Sequence, residues 1–186
     1  MRTRLFPVTA ALLSAVIVAA AIVLGIRLVT PSTTVPSATA RFMSLSDVPN
    51  LTAPSFSLVD QHGHRVTLAS LRGKTIVLEF MDPHCTDICP IVSHEFVDAY
   101  HDLGSNSSKV VFLAINVNPF HEQPSAMMAF SREQGLDTIP SWHFVTGTTA
   151  ALRAVWSSYG IYVDAPGPNI DVHHSSYIFF ITPSGK

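Results

Sequence analysis

The chain has 186 residues, enough for one domain with a proper core and an N-terminal extension. Eleven Lys and Arg stand against thirteen Asp and Glu, a formal net charge of −2. The basic residues are sparse and scattered, so there is no electrostatic case for a nucleic-acid binder. Nine histidines and thirteen prolines are on the high side, but a lone surface histidine is more often solvated than a ligand.

Arg2 and Arg4 precede the uncharged run LFPVTAALLSAVIVAAAIVLGI, residues 5–26. At ~1.5 Å per residue a helix of that length reaches about 33 Å, enough to cross a bilayer. A cleaved signal peptide has a shorter apolar region with its cleavage site close behind. Ala38-Thr39-Ala40 has the right form but lies far downstream. Residues 1–30 are therefore expected to form an uncleaved signal anchor in the cell membrane. Arg2, Arg4 and the amino terminus outweigh Arg27, which places the N-terminus in the cytoplasm and the rest of the chain outside it. In that compartment a dithiol tends to be oxidised unless a reductant or a metal holds it. Residues 31–50, rich in Ser, Thr and Pro, read as a tether, and 51–186 as the globular domain.

Two short alternating stretches flank Gln61-His62-Gly63 and predict a hairpin with His62 and His64 solvated at its turn. KTIVLEFM, 74–81, is a continuous β-rich apolar run and predicts a buried strand. The segment MDPHCTDICP, 81–90, follows directly and holds both cysteines. Beyond Pro90, which suits a first helical turn, Val92, Phe96, Ala99 and Leu103 fall on one helical face that Gly104 closes. KVVFLAINV, 109–117, predicts a second buried strand. PSAMMAFSREQG predicts a helix opened by Pro124 and stopped by Gly135, with Met127 and Met128 read as core packing. WHFVTG is a short strand, and Thr148 or Thr149 caps a helix over TAALRAVWSSYG. An irregular loop then leads to a last strand over 175–182. This order predicts an α/β fold around a central sheet. Pro183-Ser184-Gly185 starts a turn with no strand behind it, so a longer natural chain is expected.

Cys85 and Cys89 lie at i and i+4, about 6 Å apart if both are helical, within disulfide range. A helix N-terminus favours the thiolate. A permanent bridge here would close a short loop and remove little chain entropy. Two such thiolates can exchange disulfides or bite one soft ion, Cu(I) or Zn(II), and imidazole suits copper as a third ligand. His173 and His174 stand out for that role, immediately before the last strand, because sites in α/β sheets gather at the rim of the strand ends. His121, after the second strand, is a candidate to orient a ligand there. His94 and His101 lie off the apolar helical face and are expected to be solvated.

The cysteine pair with three residues between and a proline after, Cys85-Thr86-Asp87-Ile88-Cys89-Pro90, resembles the motif of the SCO/SenC family of copper chaperones. His84, His174-Ser175, the strand SSYIFFIT and the Pro-x-Gly turn 183–185 match that family with the same spacing. PSFSLVDQHGHRVTLASLRGK, SWHFVTG and the N-terminal anchor are similar too. Met81-Asp82-Pro83 departs from the usual run into the cysteines. The resemblance implies a thioredoxin-like fold with a mixed central sheet, and a further strand and helix that this chain lacks. It implies a copper site of Cys85, Cys89 and His174, with His174 rather than His173 as the ligand. It also implies a metallochaperone that serves the copper subunit of a respiratory cytochrome c oxidase. An upstream copper donor or thiol reductant, and reduction of that subunit's cysteines by Cys85 and Cys89, belong to the same expectation. The alternative is a thioredoxin-class thiol–disulfide oxidoreductase, although no proline stands near Ser176 where that class has its cis-proline. A third reading is a peroxidase, because Thr86-x-x-Cys89-Pro90 has a peroxiredoxin look.

Overall fold

The computed structural model describes residues 51–186. The expected anchor over 1–30 and tether over 31–50 lie outside the described residues. No helix among the described residues is long and apolar enough to cross a membrane.

The elements are β1 (Ser57–Val59), β2 (Arg65–Thr67), β3 (Thr75–Met81), α1 (Ile88–Leu103), β4 (Val110–Asn116), α2 (Pro124–Glu133), β5 (Trp142–Val145), α3 (Thr149–Ser158), β6 (Val163–Asp164), β7 (His173–His174) and β8 (Phe179–Ile181). The central sheet runs β5-β4-β3-β8. The first three strands are mutually parallel and β8 lies antiparallel to β3, so the sheet is mixed. β1 and β2 form the expected hairpin, and β6 and β7 form a second, smaller one.

Alternation along the strands sorts the core into two layers. Ile76, Leu78 and Phe80 of β3, with Val111, Leu113 and Ile115 of β4, pack on Leu152, Val155 and Trp156 of α3 and on the β1–β2 hairpin. Met81, Phe112, Ala114 and Phe144 face the other way, onto Cys89 and Phe96 of α1 and Met127 and Phe130 of α2. All seven residues of β4 are buried, as a central strand covered on both faces requires.

Local chemistry sets the boundaries. The Thr148 hydroxyl accepts from Ala151 N–H and caps α3, as its sequence position predicts. Asp60 Oδ1 accepts from the N–H groups of His62 (3.0 Å) and His64 (2.9 Å) and folds the hairpin turn, leaving both imidazoles exposed. Gln61 points inward instead: its Oε1 accepts from Phe144 N–H at 2.8 Å and ties the hairpin to β5.

Two expectations are corrected. The buried face of α1 is Cys89, Ser93 and Phe96, and Ala99 is exposed. Ser93 is tolerated inside because its hydroxyl bonds the Cys89 carbonyl at 2.8 Å. The last strand is also shorter than the expected 175–182: only Phe179–Ile181 pair with β3. Residues 173–174 pair with β6, and the residues between, 175–178, are outside any strand.

Candidate functional site

The cysteine turn leaves the carboxyl end of β3, where Met81 and Asp82 are buried. Asp82 Oδ1 accepts from His84 N–H (2.9 Å) and from Asn118 Nδ2 (3.0 Å), and the Asp82 carbonyl accepts from Cys85 N–H (3.1 Å). The next strand end is bound into the same network. Asn116 Nδ2 donates to the carbonyls of Asn118 (3.1 Å) and His121 (2.8 Å) and to Thr146 Oγ1 (3.2 Å), while its Oδ1 accepts from Asn118 N–H. Buried amides thus lock the ends of β3, β4 and β5 into one rim. The His84 and His121 rings stack across it, centroids 3.6 Å apart. His121 therefore lies on the rim, against His84 next to the dithiol.

Asp87 opens α1 by accepting from Ile88 N–H at 2.6 Å. Cys85 precedes the helix and Cys89 is its second residue, so the pair spans the helix start rather than lying within a turn of it. Both cysteines are free thiols. Cys89 N–H donates to Cys85 Sγ at 3.3 Å, and the Cys85 thiol donates to Asp87 Oδ1 at 3.0 Å.

The two sulfurs are unequal. The Cys89 thiol hydrogen-bonds to Cys85 and lowers its pKa to about 7, against burial and the Asp87 carboxylate, which both raise it. Cys89 is pushed up by that same bond and then by burial. The Cys85 hydrogen bond also holds the Asp87 carboxyl below its ordinary value. Cys85, half-buried, is thus the more readily ionised of the two, and Cys89, 3% exposed, is the one that holds its proton. A buried, proton-retaining Cys89 is a poor peroxide nucleophile, which counts against the peroxidase reading.

His174 sits on β7, half-buried. Its Nδ1–H donates to the Ser175 carbonyl at 2.9 Å, which leaves Nε2 as the nitrogen with a free lone pair. The His173 charge acts on Asp87, so this hairpin lies within electrostatic reach of the cysteine turn. The structure brings Cys85 and Cys89 together. It does not gather His174 with them: no three His, Cys, Asp or Glu side chains among the described residues are grouped as metal ligands. His94 and His101 are exposed, as expected.

Sequence reasoning missed Glu79, Asn116 and Asn118. Glu79 lies inside an apolar strand, 2% exposed. Burial raises its carboxyl to about 8, against the Ser176 hydrogen bond that lowers it. Its Oε1 accepts from Ser176 Oγ at 3.3 Å, and its Oε2 has no partner among the described residues. The available signal was a polar residue interrupting an otherwise continuous apolar run.

A mixed sheet with its dithiol at the start of the helix after a central strand defines a thioredoxin-like domain. Within that class, a family model described as SCO1/SenC matches residues 46–186, and the chain belongs to that family. It is 25% identical over 144 residues to the SCO1 protein homolog of Bacillus subtilis, covering 76% of this chain and 74% of that one. It is 30% identical over 137 residues to the mitochondrial protein SCO2 of Saccharomyces cerevisiae, covering 70% of this chain and 44% of that one. The chain thus spans less than half the length of that yeast relative. Among solved structures, Bradyrhizobium japonicum ScoI with copper bound superposes with a TM-score of 0.65 at 27% identity, covering 73% of this chain and 86% of that one.

Proposed function

We propose that this domain takes up copper as cargo and hands it to a respiratory cytochrome c oxidase. The observation that carries the reading is the unequal dithiol at the start of α1: two free thiols, Cys85 half-buried and Cys89 buried, joined by the Cys89 N–H that donates to Cys85 Sγ at 3.3 Å. Cys85 offers the first thiolate to Cu(I). The metal replaces the shared proton, Cys89 becomes the second ligand, and His174 Nε2 supplies the third. Thiolate and imidazole donors suit Cu(I), and imidazole accommodates Cu(II) as well. Copper bound to the related ScoI supports the same use here. Cys85 is partly open at the rim with Cys89 buried beside it, and two clefts of about 440 and 580 Å³ are lined by other residues. That placement suits ligand exchange with a macromolecular acceptor. The uncharged run at 5–26 would hold the domain at the outer face of the cell membrane.

A second reading shares the same sulfurs. The Cys85 thiolate attacks a disulfide of the acceptor, and Cys89 resolves the mixed disulfide. Two electrons then pass to the acceptor and a Cys85–Cys89 disulfide forms here. Titration of the reduced chain with Cu(I) separates the two readings. We expect one copper per chain, loss of binding in Cys85→Ser and Cys89→Ser, and weakened binding in His174→Ala. A reduced chain that binds no copper while turning over a disulfide substrate overturns the chaperone reading in favour of the reductase.

A further inference from the structure

The pairing of β8 with β3 stops at Phe179↔Leu78, although β3 continues for three more residues. Its register is Ile76↔Ile181, Val77↔Phe180 and Leu78↔Phe179. Continued one residue at a time, it sets Ile178 opposite Glu79, Tyr177 opposite Phe80 and Ser176 opposite Met81. It ends with His174 opposite Pro83, two residues before Cys85. Parity then selects the histidine. Residues directly opposite in an antiparallel pair share a face, and alternate residues change face. Phe180, Ile178, Ser176 and His174 therefore share the face of Val77, Glu79 and Met81, the face that packs on Cys89. His173 falls on the other face. This selection of His174 is independent of any family motif.

The gap already contains a contact of the extended ladder. Glu79 and Ser176 would be diagonal same-face neighbours, a spacing that long side chains bridge. Their hydrogen bond at 3.3 Å is present while the intervening residues are unpaired. The β6 ladder uses one edge of the chain at 173–174, which leaves the other edge to meet β3. Pro83 has no N–H, so the ladder cannot run on into the cysteine turn.

We propose that β8 lengthens along β3 in its present register to carry His174 to the dithiol, and that Glu79 is the positioning residue that keeps Ser176 in that register. The proposal rests on the copper reading above and adds how the third ligand arrives. Metal is held by two sulfurs first, and the third ligand closes by strand growth rather than by free swinging of the 165–172 loop.

The test is amide hydrogen exchange on the full reduced chain with and without one equivalent of Cu(I), alongside the copper titration. We expect amides within 176–178 to exchange at least about tenfold more slowly when copper is bound, the behaviour of newly paired strand. Successive N–H groups point to opposite edges, so either Tyr177→Pro or Ile178→Pro must interrupt the new ladder. One of the two should weaken copper binding as far as His174→Ala does. Glu79→Leu and Ser176→Ala should each weaken it about fivefold, the worth of one hydrogen bond, and Glu79→Gln should restore it. A purely structural Glu79 would change unfolding in the Leu variant and leave copper affinity alone. Copper binding without added protection at 176–178, or a Glu79→Leu chain that binds copper as tightly as the parent, overturns the proposal and leaves the copper reading standing. A chain whose titration shows no copper uptake defeats both, and the titration alone identifies that case.

Discussion

The two sides of the site are built to different standards. On the cysteine side, β3 and β4 pair over seven residues, and the buried carboxamides of Asn116 and Asn118 close every strand end onto its neighbour. On the histidine side, β8 pairs over three residues and β6 with β7 over two, and Tyr177, Ile178 and Phe180 are exposed. The difference assigns the tasks. On the proposed copper reading, two sulfurs that bind one metal must be held at fixed separation, whereas a ligand that releases its cargo must be able to leave. Local opening free energies follow the density of buried contacts, so the histidine side is expected to open first.

Breaking the rigid half should have the largest effect. Asn116→Leu leaves the carbonyls of Asn118 and His121 and the Asn118 N–H without partners, and should cost about 3 kcal/mol in urea unfolding. A loss under about 1 kcal/mol would mean that the rim is not what fixes the dithiol.

The boundary between the halves should respond to pH. The folded-state pKa of Glu79 is raised from 4.5 to about 8, so the folded chain binds its proton more tightly than the unfolded one. Its contribution is complete below pH 4.5 and is lost as pH rises toward 8, an effect of about 5 kcal/mol across that window. Urea midpoints should therefore fall between pH 5 and 8.5, and Glu79→Gln should flatten that slope. A parent chain with no slope would place the carboxyl in a wetter setting than its 2% exposure indicates.

The smallest effect sharpens the comparison by being absent. His94→Ala and His101→Ala, on the exposed side of α1, should shift unfolding by less than about 0.5 kcal/mol and leave copper stoichiometry unchanged. A change in stoichiometry would extend the site along the helix.

Much of this was legible because it rests on periodicity and end signals. The strands 74–81 and 109–117, the Thr148 cap and the hairpin around Gln61 each declare themselves within about ten residues. The cysteine spacing identified the dithiol, and Asp87 as helix cap was available to find. What escaped depended on distant partners. Ser93 lies inside through a bond to its own helix, which exposes Ala99. Glu79 and Asn116 look like faults in apolar strands until Ser176 and Thr146 arrive from 97 and 30 residues away. The last strand looks continuous over 175–182 because β-propensity reports what a segment can pair with. Here only Phe179–Ile181 do so.

β3 and β8 are neighbours in the sheet but lie far apart along the chain, and this orders events during synthesis. Roughly eighty residues separate Cys89 from His174, and at about 5–20 residues per second they take several seconds to emerge. For that interval, on the copper reading proposed above, the newborn dithiol has no His174 to complete a metal site. On the proposed reading, metal taken up in that interval would rest on the two sulfurs alone, and an oxidant met then would close the Cys85–Cys89 disulfide, which a reductant would have to open before copper could bind.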